Sequence, residues 1–288
     1  MKKILLTGGN GFFASRFTKF YENKYNILAL SHKDLDITDE DKTYKAIKEF
    51  APDYVIHTAG IANTNFCEEN PAFTYDINVN GTLNVGKACK DLNCKMIFLS
   101  SEQVYNGNME EGPYTENIKP IPNTEYGKQK LEAENKIKNI LDELWILRFT
   151  WLFGLPEKNC KVNANIVSNM INSILNGKDI KEPVNEYRGM TYIYELIENF
   201  EKIFDIPYGI YNIGSENNLN RYECACLVLK GLGLENRLDC LIKKDFEKYK
   251  DKPRDLRISN QKLKDQGIKF SLTKDAILKC LSEFNYKL

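Results

Sequence analysis

The sequence predicts an α/β fold built on a doubly wound parallel sheet, and two observations predict it. Short apolar runs alternate with helix-forming stretches through the first half of the chain, and the first apolar run passes straight into a glycine turn that opens a helix. Alternation of this kind buries a parallel sheet between two layers of helices.

The elements follow in order. Lys3-Ile4-Leu5-Leu6 is a buried strand, and Thr7-Gly8-Gly9-Asn10-Gly11-Phe12-Phe13-Ala14 is the turn that follows. Gly8 permits the tight turn, Gly11 lets backbone approach a pyrophosphate with no Cβ in the way, and Ala14 lets the new helix lie close to the strand. The helix N-terminus then turns unpaired N–H groups towards the phosphates, so Gly8, Asn10 and Gly11 are candidate dinucleotide-binding residues. Residues 25–30 form the second strand. Thr38 is the expected N-cap of a helix with acids in its first turn, running to about Phe50. Ala51-Pro52 ends it and residues 54–58 are the next strand. Asn70-Pro71 opens a helix that runs to about Leu92. Residues 95–100 form a strand, 107–123 a long Gly/Pro-rich loop, 126–141 a helix and 145–149 a strand.

Beyond Gly154 the rhythm changes. A helix near 163–176 and a loop to Tyr187 look like a cap, whereas a helix over 193–204 and a strand over 209–213 return to the sheet. Residues 220–231 and the charged stretch 243–257 belong to the cap again, and 272–284 is a final amphipathic helix. The expected division is a dinucleotide-binding domain over 1–154, with a returning segment at about 190–215. A smaller discontinuous C-terminal substrate-binding cap takes about 155–189 and 216–288.

Composition narrows the function. The 288 residues are 42% apolar and 28% charged, enough to bury a core and stay in solution. Forty Lys and Arg balance forty Asp and Glu, which gives no electrostatic case for nucleic acid or membrane as partner. No apolar stretch approaches the ~20 residues that span a bilayer, and the start does not read as a signal peptide. None of the eight cysteines has the paired spacing of a zinc site, so no metal is expected and the thiols are expected reduced, in a cytoplasmic protein.

Carbonyl reduction by a nicotinamide enzyme needs a weak acid held near the oxygen. Tyr126 and Lys130 are four apart on a predicted helix and share a face. The Lys130 ammonium is expected to lower the Tyr126 pKa and to donate to ribose hydroxyls. Tyr44 and Lys48 repeat the spacing on what reads as a solvated helix face. Tyr126 differs because it follows Ser100-Ser101 at the C-terminal end of a predicted parallel strand, where ligands of open α/β sheets bind. Ser101 is then placed to hold the substrate oxygen. At the end of the second strand, Ser31, His32 and Lys33 suit a 2′-phosphate and favour NADPH, while Asp34 keeps NADH open.

Glycine turn, strand-end serine and Tyr-x-x-x-Lys together resemble the extended short-chain dehydrogenase/reductase superfamily, which has a modified Rossmann fold. Within it the chain is similar to the dTDP-4-dehydrorhamnose reductases. The residues that carry this likeness are Leu35-Asp36-Ile37-Thr38, the run from Pro52 to Gly60, Asn78-Val79-Asn80-Gly81-Thr82, the run from Ser100 to Gly107, the run from Arg148 to Gly154, and Pro253-Arg254-Asp255-Leu256-Arg257 with Lys262-Leu263. The resemblance implies a catalytic set of Ser101, Tyr126 and Lys130. It implies that Phe12 and Phe13 reach the pyrophosphate through their backbone, that Asp36 and Ile37 flank the adenine, and that Ala59, Gly60 and Ile61 lie along the cofactor. Ser101, Glu102, Trp151, Arg188 and Arg254 are the implied substrate-binding residues, with Trp151 lining the sugar pocket and Arg254 facing the phosphates of a nucleotide sugar. It also implies a homodimer.

The chain departs from the family where Thr-Asp-Tyr becomes Ser101-Glu102-Gln103. Without a second acid after Glu102, the dehydratases of the superfamily are a poor match. Without a histidine after His57, so are the enzymes that epimerise before reducing. The expected function is NADPH-dependent reduction of a nucleotide-activated 4-keto-6-deoxy sugar. A 4-epimerase with tightly held NAD and a non-catalytic NADP-binding regulatory subunit are the alternatives.

Overall fold

The computed structural model describes residues 1–285. Six strands form the central sheet: β1 (Lys3–Thr7), β2 (Asn26–Leu30), β3 (Tyr54–His57), β4 (Lys95–Ser101), β5 (Leu144–Phe149) and β6 (Gly209–Ile213). Their order is β2-β1-β3-β4-β5-β6 and every pairing is parallel. The chain leaves β1 for one side and returns to the other at β3, so the topological switch point lies between these two strands.

Strand residues alternate between two apolar layers. Ile4, Leu6, Ile56 and Leu147 face the layer of Phe13, Phe17 and Phe200, while Leu5, Val55, Phe98 and Ile146 face that of Val85, Ala133 and Ile137. Both faces are covered, which is why the strands read as unbroken apolar runs. The first layer continues without interruption into Cys224 and Val228 of the Arg221–Gly231 helix and Ile277 and Cys280 of the Thr273–Glu283 helix.

Several local expectations shift. Asp39, not Thr38, caps the Glu40–Phe50 helix, because its carboxylate accepts from Lys42 N while Thr38 is tied to Asp36. The helix expected from Asn70 to Leu92 is three segments, Pro71–Tyr75, a π-helical Asp76–Gly81 and Thr82–Asp91, preceded by a separate Thr64–Glu69 helix. Residues 201–205, expected as helix continuing from 193, tighten into a 3₁₀ turn after Phe200. The segments beyond Gly154 add three short parallel ladders: Trp151–Phe153 with Met190–Tyr192, Ile180–Pro183 with Ile242–Asp245, and Glu186–Arg188 with Arg254–Leu256.

All eight cysteines are free. Among the described residues there is no metal-holding group of His, Cys, Asp and Glu, and no helix long and apolar enough to cross a membrane.

Candidate active site

The C-terminal ends of β1 and β3 make a cradle. Gly8 turns with φ +70°, and a Cβ there would lie 2.9 Å from both Cα and N of Ala59. Gly11 closes the turn by donating to Gly8 O at 2.8 Å and stands as N-cap of the Phe12–Tyr21 helix with no side chain over its N–H groups. Asn10 is exposed on the turn. Phe12 and Phe13 are buried, Phe13 against Phe17 and Phe200, so only their backbone faces outward chemistry. On the β3 side, Asn78 in the π-helical segment accepts from Ile61 N at 2.7 Å and donates to Ile61 O at 3.1 Å. It also donates to Gln129, on the helix that carries Tyr126 and Lys130.

At the end of β2, Asp34 accepts from both the N–H and the hydroxyl of Ser31, which holds its carboxyl below the usual range. His32 and Lys33 are exposed. The Ser31 hydroxyl is therefore spent on a carboxylate, a charge that opposes a 2′-phosphate, leaving His32 and Lys33 as the groups that favour one. Asp36 is exposed and accepts from the N–H and hydroxyl of Thr38, and Ile37 packs in the core against Gly81.

Ser101 ends β4 and caps the Glu102–Tyr105 turn, accepting from Gln103 N at 3.2 Å. That bond uses a lone pair and leaves its O–H free to donate. Thr124 caps the Glu125–Lys138 helix, and a Cβ on Gly127 would meet Gln103 O at 2.5 Å. Only glycine lets this helix start so close to the Ser101 turn, and that closeness sets Tyr126 beside Ser101. Lys130 reaches back to donate to Leu99 O at 2.8 Å, over the Phe98 ring. Its Nζ would be 3.7 Å from a Cβ on Gly60. Ser101, Tyr126, Lys130 and the Ala59–Gly60 loop are thus gathered at the switch-point end of the sheet.

The electrostatics differ from the sequence expectation. Burial pushes the Tyr126 phenol well above its ordinary range, outweighing the Ser101 hydroxyl, and Lys130 is not among the leading causes. Burial instead lowers Lys130 to about 8. The reason is physical: the ammonium is itself stripped of water, lies 6.0 Å from the Tyr126 ring centre and points at Leu99 O. Tyr126 consequently holds its proton at neutral pH, the form a proton donor requires.

The substrate-side candidates also converge. Arg188 pairs with Glu102, a buried carboxyl that burial raises to about 7 and whose Oε2 has no partner. Trp151 packs against two guanidiniums, Arg188 at 4.9 Å and Arg221 at 4.8 Å from its ring centre. Arg254 donates to Gln103 at 3.0 Å and Asn106 at 3.2 Å and pairs with buried Glu186, which also pairs with Arg221. Arg221 and Glu186 escape a sequence reading, because their partners lie tens of residues away, and so do the contacts that Asn78 and Gly127 make. Gly127, directly after Tyr126, was the one local signal.

A parallel sheet with a glycine cradle at its switch point, and serine, tyrosine and lysine at the neighbouring strand end, defines an extended short-chain dehydrogenase/reductase. The family model described as RmlD substrate binding domain matches residues 1–286, and the chain belongs to that family. It is 24% identical over 284 residues to the spore coat polysaccharide biosynthesis protein SpsK of Bacillus subtilis, covering 98% of each. It is 27% identical over 237 residues to a dTDP-4-dehydrorhamnose reductase of Aggregatibacter actinomycetemcomitans, covering 79% of this chain and 78% of that one. It is also 24% identical over 247 residues to methionine adenosyltransferase 2 subunit beta of Xenopus tropicalis, covering 81% and 73%. Among solved structures, the dTDP-4-dehydrorhamnose reductase of Bacillus anthracis in complex with NADP matches with a TM-score of 0.86 at 22% identity, covering 98% of this chain and 99% of that one.

Proposed function

We propose that this protein is an NAD(P)H-dependent reductase of a nucleotide-activated 4-keto-6-deoxy sugar. The observation that carries the reading is that buried Tyr126 stands beside Ser101 at the same end of the sheet as the Gly8–Ala59 cradle. The residues present fit a dinucleotide. The helix that follows the Gly8–Gly11 turn offers the N–H groups of Phe12 and Phe13 at its N-terminus, Asn78 holds the backbone of Ile61, and Lys130 has Leu99 O as its hydrogen-bond partner, which leaves ammonium hydrogens for ribose hydroxyls. The relatives named above, reductases and an NADP complex among them, support the same reading.

A nicotinamide held in this cradle would supply hydride for the carbonyl carbon. Ser101 donates to the carbonyl oxygen and holds it against the phenol. Tyr126 gives that oxygen its proton as negative charge develops, and Lys130 orients the nicotinamide ribose through its ammonium hydrogens. Arg188, Arg221 and Arg254, gathered around Trp151 and Glu186, are the positive groups for the diphosphate of the substrate. Asp34 leaves NADH usable beside NADPH. A homodimer and a cytoplasmic location belong to the same reading.

The test is NADPH oxidation against a panel of 4-keto nucleotide sugars, with dTDP-4-dehydrorhamnose first. Oxidation with a panel member supports the reductase and names its nucleotide. Tight NADPH binding with no oxidation by any member overturns it in favour of an epimerase or a cofactor-binding subunit.

A further inference from the structure

Beneath the site lies a buried ionic network that the reaction itself does not use. Glu134, one helical turn after Lys130, is 1% exposed, and Arg148 on β5 is 2% exposed. The Arg148 guanidinium grips Glu134 through Nε and Nη2, at 3.0 and 2.6 Å for the shorter bonds. Its remaining arm donates to Tyr105 Oη at 2.6 Å, at the end of the turn that Ser101 caps. Glu134 also accepts from the hydroxyl of Ser100, the neighbour of Ser101. One carboxylate therefore connects the helix of Tyr126 and Lys130, the strand of Ser101, and the strand of Arg148.

Tyr126, Lys130 and Glu134 recur at intervals of four on one helix face, and the last two bond adjacent residues of β4: Lys130 donates to Leu99 O and Glu134 accepts from Ser100, which brings carboxylate and ammonium to the same stretch of strand. The groups facing Lys130 are few. β4 offers Leu99 O and the Phe98 ring. β3 offers His57, which burial lowers to about 3 and keeps neutral. The Thr64–Glu69 helix offers Cys67, a buried thiol raised above its ordinary value. The helix of Lys130 itself offers Tyr126, protonated, and Glu134. Among these, Glu134 is the one carboxylate, and its charge acts to keep Lys130 protonated against burial.

We propose that Glu134 is a positioning residue for the reduction: it keeps Lys130 charged at neutral pH and ties it to the strand of Ser101, while Arg148 sets how much of the carboxylate's field Lys130 feels. The proposal rests on Lys130 serving as the ammonium beside Tyr126. Its consequence is a pair of opposite shifts. Glu134→Gln removes the carboxylate and leaves the Arg148 cation, so Lys130 loses its proton at lower pH. Arg148→Gln releases the carboxylate from its guanidinium, so Lys130 keeps its proton to higher pH.

The experiment is a titration of the full chain carrying 13Cε-labelled lysine, followed by NMR, with the Lys130 resonance assigned through Lys130→Arg. The Lys130 midpoint should fall by about one pH unit or more in Glu134→Gln and rise in Arg148→Gln, as expected for a charge removed at short range in a poorly solvated site. The basic limb of kcat against pH should move the same way. A structural role alone lowers activity at every pH and leaves the midpoint in place. An unchanged midpoint in either folded variant overturns the proposal, so it stays testable if only one of them folds. The titration needs no turnover. A wild-type protein inactive on every substrate would sink the reductase reading and leave this measurement standing.

Discussion

Gly8 and Ala59 press together across the switch point: a Cβ on Gly8 would lie 2.9 Å from both Cα and N of Ala59. The turn after β1 and the chain leaving β3 are thereby held at a separation only glycine allows. This contact joins the phosphate end of the cradle to the loop that runs past Lys130. Backbone, rather than a side chain, forms the wall of the cradle here.

Gly8→Ala should therefore damage the cradle from two sides. The positive φ costs an L-residue about 1–2 kcal/mol, and the new methyl meets backbone that cannot rotate away. NADPH affinity, followed by the fluorescence of the bound coenzyme, should fall at least about tenfold, the equivalent of about 1.4 kcal/mol. Wild-type affinity in this variant would mean that the turn is not the phosphate site.

His57 braces the same cradle. Thr82 donates to Asn78 O, so His57 Nε2 donates to Thr82, and Nδ1 accepts from Thr7. Thr7 in turn accepts from Thr58 N and Ala59 N. This relay needs a neutral ring, and burial lowers His57 from 6.5 to about 3. Below pH 6.5 the unfolded chain takes up a proton that the folded ring refuses, so stability from this group is lost as pH falls from 6.5 towards 3. The loss is about 1.4 kcal/mol per pH unit. Urea unfolding at pH 6.5 and pH 5 should show roughly 2 kcal/mol of acid destabilisation that His57→Gln lacks. Equal pH slopes in the two proteins would contradict it.

On the proposed reading, coenzyme choice turns on Asp34 and Ser31. Its carboxylate occupies the Ser31 N–H and hydroxyl and opposes a 2′-phosphate, whereas His32 and Lys33 favour one. Asp34→Asn should raise kcat/KM for NADPH relative to NADH several-fold, on the order of the 1–2 kcal/mol of a single short-range charge. An unchanged ratio would place the ribose elsewhere.

The parts of this protein legible in its sequence are local ones. The alternation of strand and helix, the Gly8–Gly11 turn, and Tyr126 with Lys130 on one helix face all lie within a few residues, where periodicity and turn chemistry decide the outcome. Boundaries moved where two neighbours compete for one role, as Thr38 and Asp39 do for a single N-cap. What escaped is long-range. The Glu102–Arg188 pair spans 86 residues, Trp151 meets two arginines from separate segments, and the Glu134–Arg148 pair joins a helix to the strand after it. The expected effect of Lys130 on Tyr126 failed for a related reason. Spacing shows that two groups share a face, but not that both are buried and that the ammonium is turned towards Leu99 O.

The most direct measurement pairs steady-state NADPH oxidation with NADPH binding in Tyr126→Phe, using the keto sugar that the wild type reduces. The variant loses one hydroxyl in a buried site and keeps Lys130 and the glycine cradle. Its kcat should fall about 10²–10⁴-fold, the usual loss for a positioned proton donor, with the NADPH dissociation constant unchanged. Turnover within a few-fold of wild type would show that Tyr126 does not deliver the proton.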